Sequence, residues 1–71
     1  MIIIADRDTP PPEVPPLKTC GDFTAFVQAD VMRLRNYGVS EARYYEGNMA
    51  ADITIRESGA LIEVFKIQPA S

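Results

Sequence analysis

The chain has 71 residues, 7 Lys+Arg against 10 Asp+Glu, a formal net charge of −3, one Cys and no His. That length allows one small domain, with a core worth about 3–5 kcal/mol of net stability. The composition excludes an intramolecular disulfide, a structural zinc site and every Ser-His or Cys-His catalytic pair, and the acidic balance opposes a phosphate-neutralising surface.

Residues 1–8 open the chain. Met1 to Ala5 contains three consecutive Ile residues, which are stiff at the side chain and suit a pleated sheet. This segment is expected as an N-terminal edge strand beside residues 60–67, with its direction left open. It has no basic start and is too short for a signal peptide. Asp6 and Asp8 follow as alternate carboxylates. Two acids at that spacing suit a divalent ion weakly, so the pair is expected to be an acidic surface patch and no metal or other cofactor is expected.

Residues 9–18 form a Pro-rich connector containing Pro10-Pro11-Pro12-Glu13-Val14-Pro15-Pro16. Proline fixes φ and lacks a donor, so the segment is expected as a polyproline II spacer. Pro12 and Pro15 also have the spacing of a ligand for a proline-binding domain, but Glu13 is acidic and no basic residue flanks them.

Residues 19–71 carry a helix and a three-stranded meander. Thr19 and Asp22 fit a capping box, with Asp22 as the rival N-cap. Cys20, Phe23, Phe26, Val27, Val31 and Leu34 then share one face at a 3.6 period. Cys20 is expected there as a small buried apolar group. Gly38 and Val39 mark a Schellman stop, so the helix is placed at 20–36. Asp30 falls inside the stripe and needs a partner, expected to be Lys66 or Arg33, with Tyr44 as a further donor.

Strands are expected at 41–46, 49–57 and 60–67, joined by Gly47-Asn48 and Ser58-Gly59. The first turn pairs Tyr44 with Ala51 and Ala42 with Ile53. The second pairs Ile53 with Val64 and Ile55 with Ile62. One face then gathers Ala42, Tyr44, Met49, Ala51, Ile53, Ile55, Ile62 and Val64, ready for the helix stripe. The other carries Glu41, Arg43, Tyr45, Asp52, Thr54, Arg56, Leu61, Glu63, Phe65 and Ile67. Arg43 is expected to face Asp52 as an ion pair. The fold class is therefore α+β, in β-α-β-β-β order, with one helix on one face of a mainly antiparallel three- to four-stranded sheet.

A helix on a three-stranded meander resembles, in topology alone, the first part of a double-stranded-RNA-binding domain. That resemblance implies RNA binding. The basic residues that would straddle phosphates are absent and no second helix is expected before Ser71, so direct nucleic-acid binding is not expected.

No nucleophile elbow, glycine-rich phosphate loop or metal-ligand spacing is present, and an enzyme is not expected. The expected role is a small, acidic, cytoplasmic binding protein that stoichiometrically inhibits a nucleic-acid-handling protein, its carboxylates imitating phosphate charge. In size and charge the chain is similar to phage anti-CRISPR inhibitors and to antitoxins. Glu41, Arg43, Tyr45, Asp52, Glu63 and Phe65 are the expected protein-binding residues, with a basic, nucleic-acid-binding surface as the partner, and no membrane association. The alternative is a self-associating assembly subunit, as a homodimer through Leu61, Phe65, Ile67 or a free strand edge.

Overall fold

A computed structural model describes residues 1–67; the tail of the expected 19–71 unit, residues 68–71, lies outside them. The elements run β1 (Ile2–Ala5), α1 (Cys20–Asn36), β2 (Glu41–Glu46), β3 (Met49–Arg56) and β4 (Gly59–Lys66). The four strands form one antiparallel sheet in the order β1-β2-β3-β4, and α1 packs on one face of it. The fold is α+β, in β-α-β-β-β order.

The helix ends are set by local chemistry. The Asp22 N–H donates to Thr19 Oγ1 at 3.1 Å, and the Thr19 N–H donates to the Asp22 carboxylate at 3.2 Å. Thr19 is thus the N-cap, and two donors with no partner inside the helix are satisfied reciprocally. At the other end Gly38 has φ +75°, and the Val39 N–H donates to the Leu34 carbonyl at 3.0 Å. A side chain at Gly38 would be strained by that φ and would press on the Arg7 guanidinium. Val39 is buried, which supplies the apolar contact of a Schellman stop.

Phe23, Val27, Val31 and Leu34 of α1 meet Val39, Ala42, Tyr44, Ala51 and Ile53 in the core. Phe26 packs edge-on to Tyr44, with ring centroids 6.2 Å apart. Cys20 is exposed rather than buried. As the first residue of α1 it lies where the stripe leaves the core, its Sγ 3.1 Å from Met49 Sδ.

The N-terminal strand pairs with β2, not with β4. Ile2 faces Tyr45 and Ile4 faces Arg43, antiparallel. The residues just beyond β1 account for the choice of neighbour. The Asp6 carboxylate accepts hydrogen bonds from the Ser40 hydroxyl and from the Ser40 and Glu41 N–H groups, and the Asp6 N–H donates to the Glu41 carbonyl. At the strand's other end the Met1 ammonium lies 3.7 Å from the Glu46 carboxylate. These contacts place the end of β1 beside the end of α1. The connector must then travel back along a helix about 25 Å long, which a polyproline II chain covers in about eight residues. Arg33 Nη1, donating to the Pro10 carbonyl at 2.6 Å, fastens it on the way, and Leu17 packs on the core before Thr19.

The first hairpin has the expected register, Tyr44 with Ala51 and Ala42 with Ile53. Gly47 takes φ +59° at the first loop position. The second hairpin is shifted. Its loop is Glu57-Ser58, Arg56 faces Gly59, and Ile53 faces Ile62 instead of Val64. The described non-glycine residues all have negative φ. Glycine's freedom is therefore used just after this turn, at Gly59 with φ +143°, rather than inside it. A shift of two residues keeps every side chain on its expected face and changes every partner.

Candidate functional site on the outer sheet face

Three cross-strand rows build the face away from α1. The row nearest the Gly47 turn runs Ile2, Tyr45, Ala50, Phe65. The middle row runs Ile4, Arg43, Asp52, Glu63, and the next runs Glu41, Thr54, Leu61. Antiparallel alternation produces this arrangement: β2 sends its odd-numbered residues outward, β3 its even-numbered ones and β4 its odd-numbered ones.

The first row is apolar and open. Ile2 is 63% exposed, whereas Ala50 is fully buried between Tyr45 and Phe65. Ala50 was not among the expected outer-face residues. Its small side chain stands between two aromatic cross-strand neighbours. Ile2 and Ile4 join this face because β1 lies beside β2.

The middle row carries the charge. Arg43 donates through Nε and Nη2 to the two Asp52 oxygens, the second at 3.1 Å, and through Nη1 to the Tyr45 hydroxyl at 3.3 Å. The hydrogen bond to Asp52, then the one to Tyr45, raises the Arg43 pKa above its ordinary value. Asp52 faces Glu63 directly on its other side. The expected register would have set Glu63 against Thr54; the observed one sets two acids side by side.

Between the middle row and the next lies a depression of about 500 Å³, lined among others by Asp6, Glu41, Arg43, Asp52, Leu61 and Glu63. Asp6 thus belongs to the same surface as Glu41, Asp52 and Glu63. Its pKa is held below the ordinary 3.8, first by the Ser40 hydroxyl, which outweighs the opposing effect of burial, and then by the Ser40 and Glu41 N–H groups. Asp8 lies outside that depression. It lines a groove with Arg7, Pro10 and Arg33, and a further open groove with Asp6, Arg7 and Tyr37, so Asp6 borders both the outer face and the surface that holds Asp8. Among the described residues no three metal-ligating side chains come together around a common point.

Asp30 is part of the packing rather than of this face. Arg33 binds it in bidentate fashion, Nε to Oδ1 at 2.7 Å and Nη2 to Oδ2 at 2.9 Å, and the Tyr44 hydroxyl also donates to Oδ2. Arg33 is therefore the partner, not Lys66. Burial, reinforced by the hydrogen bond to Asp30, raises the Tyr44 pKa above its ordinary 10.0. Every buried side-chain polar atom described has a partner, which is what a buried carboxylate in a small core requires.

No protein family, characterised protein or solved structure matches this chain. Among the described residues no helix is long and apolar enough to cross a membrane.

Proposed function

We propose that the chain is a non-catalytic binding protein that docks its outer sheet face on a cationic protein surface. In this reading it acts as a stoichiometric inhibitor of a nucleic-acid-handling partner, of the anti-CRISPR or antitoxin type. The observation that carries the reading is the depression lined by four carboxylates, Asp6, Glu41, Asp52 and Glu63, with Arg43 as its single cation. Arg43 is already bound to Asp52, so the depression is acidic as a whole. Carboxylates gathered in this way present a basic groove with charge of the sign it ordinarily takes from phosphate, and steer the encounter. Tyr45 and Phe65, on either side of Ala50, are the rigid aromatic anchors of the kind that dominate protein interfaces.

The test is displacement. Purified nucleases and nucleic-acid-guided effector complexes are loaded with labelled nucleic acid and titrated with the chain. The expected result is release at one-to-one stoichiometry for a susceptible partner. Glu41→Lys/Glu63→Lys abolishes release while leaving the circular dichroism spectrum unchanged. Release that persists in that double variant overturns the assignment to this face.

A further inference from the structure

The two edges of the sheet are protected unequally. β1 has four residues, and the groove beside it is lined by Pro10, Pro11 and Pro12. Proline and shortness are common ways of closing a strand edge. β4 has eight residues, contains no proline and keeps unbroken register with β3. Its side chains are apolar at Ala60, Leu61, Ile62, Val64 and Phe65.

The hydrogen-bond phase of this edge follows from one bond. The Ile67 N–H donates to the Asn48 carbonyl at 2.7 Å, in continuation of the β3–β4 register. Odd-numbered residues of β4 therefore turn their main-chain groups toward β3. Ala60, Ile62, Val64 and Lys66 turn theirs outward, where no strand of the described residues pairs with them. Val64 agrees: its side chain points to the helix side yet stays 39% exposed.

The charge row says which strand fits. Reading outward, the row is Arg43, Asp52, Glu63, then the open edge. Like charges directly opposite repel, and Asp52 has its cation on the far side only. The position across the edge from Glu63 calls for a cation.

A second copy of β4 does not provide one. In an antiparallel pair joined by a two-fold axis, opposing residues lie on the same face. The cation of β4, Lys66, is on the helix side, whereas Glu63 is on the outer side. In the closely overlapping registers Glu63 meets Leu61, Glu63 or Phe65 of the copy, each of which leaves the acid pair uncompensated.

We infer that the β4 edge accepts an extended antiparallel strand from the partner, with Lys or Arg opposite Glu63 and apolar residues on either side. This rests on the docking reading above and adds to it the partner's local structure: main-chain pairing along Ala60 to Lys66, and one basic side chain completing the charge row. Strand addition of this kind takes affinity from the main chain and specificity from alternate side chains.

The probe is the capped peptide Thr-Ile-Val-Lys-Val-Ile-Thr, whose Lys falls opposite Glu63 when its first residue lies opposite Lys66. Its control carries Glu in place of Lys. Amide exchange of the chain is followed by NMR with each peptide. The expected result is slowed exchange at Ala60, Ile62, Val64 and Lys66, with little change at the already paired Leu61, Glu63 and Phe65. The Lys peptide should bind about tenfold more tightly than the Glu peptide, a difference of about 1.4 kcal/mol, and Glu63→Gln should remove most of that preference. Equal binding of both peptides, protection elsewhere, or protection of the same four amides by self-association without peptide overturns the inference. The docking reading is judged separately, by displacement with Glu41→Lys/Tyr45→Ala, both on β2 and away from this edge. Edge protection without displacement leaves the inference standing and removes the docking reading; displacement lost in the β2 variant without edge protection does the reverse.

Discussion

The two faces of the sheet are made by the same strands, one residue out of phase, and they are finished in opposite ways. On the helix side Ala42, Tyr44, Ala51 and Ile53 are sealed under Phe23, Val27, Val31 and Leu34, and the buried carboxylate of Asp30 has two partners. On the outer side Ile2, Ile4, Leu61 and Phe65 are exposed beside a row of acids of which one is compensated. The first arrangement lowers the free energy of this chain by itself. The second, on the docking proposed above, is completed when a partner is placed against it. Substitutions therefore sort by face: those on the helix side are read in stability, those on the outer side in binding.

The sharpest test of that division is Phe23→Ala. Phe23 is fully buried in the core between α1 and the sheet. Emptying a site of this size costs about 3–5 kcal/mol. That equals the whole net stability of a domain this small, about 3–5 kcal/mol. The variant is expected to be largely unfolded by circular dichroism at 25 °C, and a cooperative urea transition close to wild type would break the comparison.

Tyr44→Phe comes next. It removes the hydroxyl that donates to Asp30 and leaves Arg33 in place, so the expected loss is about 1–2 kcal/mol in urea denaturation at pH 7. It also changes the alkaline limb. The folded phenol has its pKa raised above 10.0, so the unfolded state releases that proton first. Tyr44 thus contributes stability that is complete below pH 10 and is lost as pH rises from there through the folded value. Urea titrations from pH 9 to 11 should show a shallower decline in Tyr44→Phe. An identical decline would show that the folded phenol is neither shielded by burial nor held by Asp30.

These cases also show where sequence suffices. The helix was legible to the residue because its ends are encoded locally, by Thr19 with Asp22 and by Gly38 with Val39. The first hairpin was legible because Gly47 stands where its turn needs positive φ. The second was misread by two residues, since Gly59 is used beside the turn and not in it. That slip left the faces intact and hid the acid pair of Asp52 and Glu63. The place of β1 was hidden for another reason. An Ile-rich strand suits either edge, and the choice rests on Asp6 finding Ser40, 34 positions away, which no local pattern announces. Strand alternation places the expected outer-face residues of β2, β3 and β4 on one face and implies Ala50 between Met49 and Ala51, whereas Asp6, Ile2 and Ile4 reach that face only because β1 pairs with β2.

Thr19→Ala is a smaller helix-end test. It deletes the acceptor for the Asp22 N–H and breaks the capping box, for an expected loss of about 1 kcal/mol. The loss should be matched by Thr19→Val and largely restored by Thr19→Ser in thermal melts. Equal melting of all three would place the helix start elsewhere.

The smallest expected change in stability comes from Phe65→Ser, and it bears most directly on the outer face. Phe65 is an aromatic on the same sheet as the core, directly across from Ala50, whose other cross-strand neighbour is Tyr45. If the outer face is a finished surface of the free chain, the ring should act like a core residue, and its loss should approach that of Phe23→Ala. If the face is unfinished, Phe65 is 40% exposed in the free chain already, and the change should stay near the 0.5 kcal/mol or so typical of surface positions. The second outcome is expected, together with loss of displacement activity, because a ring left exposed in the free chain gains its burial in the complex. A large urea shift for Phe65→Ser with unchanged displacement would place the aromatic row in the fold and remove it from the interface.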